Sequence, residues 1–175
     1  MDERRDSKIN ATKYGTTVER KSERELVVTR TFNGPARIVF EVWTKPELLK
    51  RWWAPKSFGV SFLSCEADVR TGGTYRFMFS HASAEQPMSF FGRYAEVTPR
   101  SRLVWTNDEG DEGGAVTTVT FEERGGETLV VMHDLYPSKK ALDDAIASGS
   151  TSGTGEQFEQ LDQLLVALGA SVGRS

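Results

Sequence analysis

At 175 residues, with 38% apolar and 10% aromatic side chains, the chain can enclose one sizeable hydrophobic core, which makes a single domain the expected organisation. Its 22 basic and 25 acidic side chains give a net charge of −3 without a long block of either sign, which argues against nucleic acid as a partner and against a polybasic membrane anchor. No stretch approaches the roughly eighteen consecutive apolar residues of a membrane span, and no apolar segment follows the charged N-terminus, so we expect a cytoplasmic protein without stable membrane insertion.

The N-terminal part of the sequence predicts a charged segment, one strand and two short helices. Residues 1–25 are dense in charged and hydroxyl side chains without a sustained apolar period, which predicts a tail or an extension of a sheet edge. Residues 26–32 are rich in Val and Thr and predict the first strand. Pro35 and Pro46 each suit the first turn of a helix, and both helices carry large apolar side chains on one face. Those side chains are Val39, Val42, Trp43, Leu48, Leu49, Trp52 and Trp53.

Residues 58–135 change to the pattern of antiparallel strands. Apolar side chains alternate along 58–70, but their parity flips near Phe62, which predicts a β-bulge or a local twist of the strand. Turns rich in Gly, Pro and Asn, such as Thr71-Gly72-Gly73, separate the strands that follow. With the first strand this gives a sheet of about seven strands. The further strands are predicted at 74–79, 90–97, 102–106, 116–122 and 128–135.

The last predicted element is a long amphipathic helix over 156–168, preceded by a shorter helical segment at 139–147. Its apolar positions recur at helical spacing, while charged and amide side chains occupy the other face. The apolar face is formed by Phe158, Leu161, Leu164, Leu165 and Leu168. Because only the strands offer enough surface to cover this face, we expect one α+β domain over 26–169, in which a curved antiparallel sheet wraps around the helix. Residues 170–175 are then a C-terminal tail.

Several pieces of the sequence are similar, in the same order, to those of a known family. They are Arg30-Thr31-Phe32 with Gly34-Pro35, Val42-Trp43-Thr44-Lys45-Pro46, Arg51-Trp52-Trp53-Ala54-Pro55, Asp68-Val69-Arg70-Thr71-Gly72-Gly73, Glu96-Val97-Thr98-Pro99, Val119-Thr120-Phe121-Glu122 and Leu161-Asp162-Gln163-Leu164-Leu165. On these pieces, residues 27–168 resemble the START-like superfamily, also called SRPBCC or Bet v 1-like, which has the helix-grip fold. Within it the chain resembles the family named for the C-terminal domain of the heat-shock-protein-90 ATPase activator. The superfamily contains lipid binders, cyclases and hydrolases, so the resemblance implies a fold rather than one function.

The resemblance also implies an internal cavity between the sheet and the last helix, which the superfamily uses for apolar ligands. Large apolar side chains at strand and helix spacing are the candidates to line it, although the same spacing is that of ordinary core residues. The candidates, including one histidine, are Trp43, Trp52, Phe62, Phe77, Phe79, Phe90, Trp105, Met132, His133, Phe158, Leu161 and Leu165.

His133 is the one candidate for catalysis in this cavity. It shares the parity of Leu129, Val131 and Leu135 in the last predicted strand, so we expect its imidazole to point inward. An inward imidazole is either a core histidine with satisfied hydrogen bonds or an acid or base acting on a bound molecule.

Glu66, Arg76 and Arg93 are the other polar candidates, because they lie on predicted neighbouring strands. There they would hold the polar group of a ligand or form cross-strand ion pairs on a solvated face. Cys65 is expected to be a buried, unreactive thiol. With one cysteine and two histidines, the sequence offers no metal site.

The sequence therefore predicts the binding of a small apolar or amphipathic molecule in an internal cavity, without a cofactor. One alternative is an enzyme of the polyketide cyclase or hydrolase type, which requires a polar cavity group within hydrogen-bond reach of another titratable one. Another is a stress- or chaperone-related protein-interaction module that uses Trp52, Trp53 and the acidic loop 108–112, which requires a filled core and an exposed apolar patch. The identity of the ligand is not fixed by the sequence, and a homodimer is the assembly that base rates favour.

Overall fold

The structure, a computed structural model, describes residues 11–13, 16–54, 56–81, 85–108, 114–147 and 154–168. The strands are β1 (Ala11–Lys13), β2 (Thr16–Arg20), β3 (Glu25–Phe32), β4 (Val60–Ala67), β5 (Thr74–His81), β6 (Met88–Thr98), β7 (Arg102–Thr106), β8 (Val116–Arg124) and β9 (Glu127–Leu135). The helices are α1 (Ala36–Thr44), α2 (Pro46–Leu49), a 3₁₀ turn (Lys56–Phe58), α3 (Lys139–Ala147) and α4 (Thr154–Ala167). Among the helices so described, none is long and apolar enough to cross a bilayer.

All nine strands form one antiparallel sheet in the order β1-β2-β3-β9-β8-β7-β6-β5-β4. This confirms the predicted α+β helix-grip architecture, with a C-terminal helix and two short helices after the long strand β3. The two strands beyond the expected seven are β1 and β2, which extend the sheet past β3. In β2, Val18 pairs with Val28 and is the one apolar side chain of that strand. The sequence of β2 therefore has no apolar periodicity from which the strand could be predicted. Residues 11–13 and 16–20 form these two strands at one end of the sheet.

The helix α4 places its apolar face in the core. Its buried apolar side chains are Phe158, Leu161, Leu164 and Leu165. The Phe158 ring lies 5.5 Å from that of Phe32 and 5.9 Å from that of Trp43, both in edge contacts. Each buried side chain of this size contributes about 1.5–3 kcal/mol before ordering entropy is subtracted. Leu168, predicted to belong to this face, is instead 42% exposed because the helix ends at Ala167.

The other face of α4 is less exposed than its amide side chains predicted. Gln160 is 8% exposed, and its Oε1 accepts a hydrogen bond of 2.9 Å from the backbone N–H of Lys56. Its Nε2 donates to the carbonyls of Trp52, at 3.1 Å, and Ala54, at 3.0 Å. The Gln157 amide also donates to the Trp53 carbonyl. These bonds tie the connection between α2 and β4 to α4, because that connection has no strand or helix partner of its own for these backbone groups.

The parity flip near Phe62 corresponds to a β-bulge, as predicted. The register of β4 against β5 shifts between Phe62 and Ser64, and the intervening Leu63 is 55% exposed. Phe62 and Cys65 consequently both pack against the core, although they are three positions apart along the strand.

We expect Gln160→Ala to lower the free energy of unfolding by about 2 kcal/mol, because it leaves three backbone groups without their partner. Urea denaturation followed by circular dichroism measures this loss. Gln163→Ala is the matched control, since Gln163 is an exposed amide on the same helix and should change stability by less than about 0.5 kcal/mol. Equal effects of the two substitutions would show that Gln160 does not hold the connection.

Candidate functional site

A cavity of about 380 Å³ lies between the sheet and α4. All 4 tryptophans of the chain line it, together with side chains from β3, β5 to β9, α3 and α4. The lining residues, including those of the connecting segments, are Leu26, Trp43, Trp52, Trp53, Tyr75, Phe77, Phe90, Trp105, Asn107, Gly114, Ala115, Thr117, Met132, Asp134, Tyr136, Ala145, Thr154, Gln157 and Phe158.

The wall of the cavity is an aromatic cluster centred on Trp43. The ring of Trp43 contacts Trp52 at 4.8 Å, Trp53 at 6.3 Å and Trp105 at 6.1 Å between centroids. The contacts with Trp52 and Trp53 are edge-to-face, the arrangement that the ring quadrupoles favour. Among the described residues, Trp43 Nε1 is the one fully buried side-chain nitrogen or oxygen without a hydrogen-bond partner. Aromatic packing therefore fixes this indole, and polar contacts do not.

One end of the cavity is polar, because three strands place polar side chains in a single cross-strand row. Trp105 pairs with Thr117, and Thr117 pairs with Asp134, so all three side chains emerge on the same face of the sheet. The Thr117 hydroxyl donates a 2.6 Å hydrogen bond to Asp134 Oδ1. Asn107 Nδ2 donates to the Ala115 carbonyl at 2.6 Å and to Thr117 Oγ1 at 3.4 Å. Asn107 thus donates to the Thr117 hydroxyl, which in turn donates to Asp134.

Asp134 is a partly buried carboxyl group at the cavity wall. Burial raises its pKa to about 6, while the hydrogen bond from Thr117 and the nearby charge of His133 act in the opposite direction. The hydrogen bond that the described residues make to its side chain is the one from Thr117 to Oδ1. Oδ2 accepts none from them, so it remains available to a bound molecule.

Two tyrosines complete the polar end. Burial, and to a smaller extent the charge of Asp134, raises the pKa of Tyr136 to about 12, so its hydroxyl keeps its proton at neutral pH. The Tyr75 hydroxyl donates a 2.7 Å hydrogen bond to the Thr106 carbonyl. Glycine is required at position 92, because a Cβ there would lie 1.9 Å from the Thr106 oxygen and 2.9 Å from the Tyr75 hydroxyl oxygen. Gly92 therefore makes room for the bond that orients Tyr75.

The structure brings some of the sequence-predicted lining residues together at the cavity and leaves others in the surrounding core. Those at the cavity are Trp43, Trp52, Phe77, Phe90, Trp105, Met132 and Phe158. Phe62 and Phe79 instead stack on each other, with ring centroids 4.3 Å apart, outside the cavity wall. Leu161 and Leu165 are fully buried among core side chains and do not reach the cavity.

The prediction that His133 points into the cavity is wrong. In β9 the buried positions are Thr128 and Val130, so the parity that His133 shares with Leu129 and Val131 faces the other side of the sheet. There His133 Nε2 lies 2.7 Å from Glu25 Oε2, and this hydrogen bond is the main cause that lowers the pKa of Glu25. The titratable group that faces inward is the next residue, Asp134, which the sequence analysis missed.

The polar candidates Glu66, Arg76 and Arg93 also lie outside the cavity. Glu66 and Arg76 pair across β4 and β5, and with Arg93 they line a groove on the other face of the sheet. Arg76 stacks over the Phe91 ring at 5.1 Å, and Arg93 Nε lies 3.4 Å from Asp108 Oδ2. These residues lie on a solvated face, where Arg93 forms an ion pair with Asp108 and Arg76 contacts Ser89 and Phe91.

Cys65 is more exposed than predicted, and Trp52 is more buried than the protein-interaction alternative requires. Cys65 is half-buried, and burial raises the pKa of its thiol to about 11, so it is protonated at neutral pH. Trp52 is 1% exposed and its Nε1 donates a 2.7 Å hydrogen bond to the Val42 carbonyl, so it offers no surface to a protein partner. Most of the acidic loop 108–112 lies outside the described residues.

A curved antiparallel sheet that encloses an aromatic cavity with its C-terminal helix defines a START-like protein of the helix-grip type. The model of one family within this superfamily, described as "Activator of Hsp90 ATPase homolog 1-like protein", matches residues 33–166. The chain belongs to this family.

Solved structures share the same fold. A protein from Nitrosomonas europaea is 24% identical, with a TM-score of 0.77 over 86% of this chain and 99% of its own. One from Rhodobacter sphaeroides is 22% identical, with a TM-score of 0.79 over 87% and 99%. An AHSA1-like protein from Aeromonas hydrophila is 18% identical, with a TM-score of 0.64 over 82% and 94%. Identities this low establish the fold alone. No protein with a curated description is significantly similar to the chain.

We expect Asp134→Asn to stabilise the protein by about 2 kcal/mol at pH 7.5 and to have little effect near pH 4. The folded-state pKa of Asp134 is about 6, above the ordinary value of 3.8, so the native state holds the proton more tightly than the unfolded state does. The free energy of unfolding falls as the pH rises from about 4 to about 6, and the loss persists above pH 6. Its size is roughly 1.4 kcal/mol for each unit by which the folded-state pKa exceeds that of the unfolded state. The amide removes that cost.

Urea denaturation at both pH values measures the difference. Asp144→Asn is the control, because Asp144 is an exposed acid paired with Lys140 on α3. A lower stability of Asp134→Asn than of the native sequence at pH 7.5 would contradict the raised pKa.

Proposed function

We propose that the protein binds a small apolar or amphipathic molecule in the cavity between the sheet and α4. The observation that carries this proposal is the combination of an aromatic wall with one polar end, where an oxygen of Asp134 has no hydrogen-bond partner among the described residues. Sites for small molecules are mostly apolar with a few placed polar groups, and their volumes are about 300–1,000 Å³. The volume of this cavity, about 380 Å³, falls within that range.

Burial of apolar ligand surface would supply the free energy of binding. The rings of Trp43, Trp53, Trp105 and Phe158 face a common space, so a flat or branched apolar body would contact several of them at once. Each apolar Å² withdrawn from water contributes about 25 cal/mol, from which the cost of immobilising the ligand is subtracted. The polar end would then orient the molecule.

The contacts favour binding over acid-base catalysis of the cyclase or hydrolase type. Asp134 accepts its hydrogen bond from the hydroxyl of Thr117, which does not titrate in the ordinary pH range. The close titratable pair in this region, His133 and Glu25, lies on the other face of the sheet. We therefore assign no proton-transfer step to the cavity. The proposal includes a cytoplasmic location and no cofactor.

A fluorescent apolar probe tests the proposal. We expect 1-aminoanthracene to bind saturably and to quench the tryptophan emission, since every tryptophan lines the cavity. Ala145→Trp would place a large ring in the cavity and weaken probe binding by at least about tenfold, because the ring excludes the ligand. The measurement is the probe's own emission, titrated against each variant.

Ala147→Trp is the matched control, since Ala147 is exposed two residues further along α3. It should bind the probe as the native sequence does. Absence of saturable binding to the native protein, or equal affinities of the Ala145→Trp and Ala147→Trp variants, would refute binding in this cavity.

A further inference from the structure

Among the residues that the structure describes, the cavity lining includes one charged side chain and no counter-charge. Asp134 is the single Asp, Glu, Lys, Arg or His among the described residues that line it. The basic residue nearest in sequence, His133, lies on the opposite face of the sheet, where its Nε2 is 2.7 Å from Glu25 Oε2. A partly buried carboxylate that lacks a positive partner is costly, so this end of the cavity favours a ligand that brings a positive charge.

The hydrogen bonds at the polar end also favour a ligand that donates hydrogen bonds. The Thr117 hydrogen is directed to Asp134 Oδ1, and the Asn107 amide hydrogens are directed to Ala115 and Thr117. Oδ2 of Asp134 remains as an acceptor without a described donor. The Tyr136 hydroxyl, which lines the same end, can donate or accept. A complementary ligand must therefore present at least one hydrogen-bond donor.

The aromatic wall also suits a cation. Indole rings attract a positive charge over their faces, by about 0.5–2 kcal/mol according to how far it is desolvated. Trp43, Trp53 and Trp105 lie within 6.3 Å of one another between centroids, and Trp105 neighbours Thr117 in the row that leads to Asp134. An ammonium group at Asp134 would lie on the same face of the sheet as Trp105, two strands away.

We propose that the cavity takes an organic amine with an apolar body, whose ammonium group pairs with Oδ2 of Asp134. This inference rests on the proposed function and names its ligand class. A carboxylate ligand such as a fatty acid would instead bring a second negative charge to Asp134, and a neutral alcohol would donate one hydrogen bond but leave the charge uncompensated. Asp134 thus determines specificity, and the aromatic wall supplies the apolar contact.

Three probes of equal shape test the class of ligand: 2-naphthylmethylamine, 2-naphthalenemethanol and 2-naphthoic acid. Isothermal titration at pH 7.5 should give an affinity for the amine at least about tenfold higher than for the alcohol, with the acid weakest. At pH 4.5, where Asp134 is largely protonated, the advantage of the amine over the alcohol should shrink to less than about threefold. The other titratable groups lining the cavity, Tyr75 and Tyr136, belong to a residue type that stays protonated over this range.

Asp134→Asn isolates the carboxylate, because the amide keeps an oxygen for the Thr117 hydroxyl and removes the charge. It should lower the affinity for the amine by about tenfold, to that for the alcohol, and leave the alcohol within about threefold of its native affinity. Asp144→Asn should change none of the three affinities. The native protein's pH dependence provides the same test if the Asp134→Asn variant does not fold.

The outcomes distinguish a failure of the proposed ligand class from a failure of the proposed binding in the cavity. If the alcohol or the acid binds as tightly as the amine, or if Asp134→Asn keeps the preference for the amine, the ligand class is wrong and the binding cavity stands. If none of the three probes binds, and 1-aminoanthracene does not bind either, both proposals fail.

Discussion

The burial of the apolar face of α4 is the constraint on which the rest of the structure depends. Phe158 packs between Phe32 and Trp43, and this contact joins the last helix to β3 and α1. Polar contacts hold the two sides of the same helix. On one side Arg30 of β3 lies 3.3 Å from Glu159 and 3.4 Å from Asp162, and on the other Gln160 binds the backbone between α2 and β4. Without the helix, the inner face of the sheet would expose an aromatic surface to water, which a stable monomeric domain does not tolerate.

The cavity follows from how large rings pack on a strongly curved surface. The indole and phenyl groups around Trp43 meet edge-to-face, and such contacts set ring centroids about 5–6 Å apart instead of filling all the space between them. The residual space adjoins the row in which Trp105, Thr117 and Asp134 lie side by side on β7, β8 and β9. The polar end is therefore part of the sheet itself, on a rigid element, where side chains are positioned more accurately than on a loop.

Membership of the Activator of Hsp90 ATPase homolog 1-like family accounts for the fold and leaves the chemistry to individual residues. The pieces of sequence that carry the resemblance build turns, helix starts and core contacts. The residues that give this cavity its character, Asp134, Thr117 and Asn107, lie outside those pieces. Structures with 18–24% identity share the fold with this chain, and likeness at that level establishes the fold alone. The specificity that we infer is thus a property of this chain's own side chains.

The sequence was sufficient to predict the order of the elements, the irregularity near Phe62, the glycine turns and the amphipathic C-terminal helix, because each depends on local periodicity or on backbone preferences of a few residues. It could not determine which side of β9 is inside. Apolar side chains occupy both faces of that strand, so alternation placed His133 and Asp134 on opposite faces without saying which was buried. Nor could it show that Gln160 is buried, because its partners are backbone groups about a hundred residues away. The strands β1 and β2 have too few apolar residues to be predicted, and they form by pairing, β2 with β3 and β1 with β2. Only the tertiary structure decided these points, because each depends on which distant surface covers a residue.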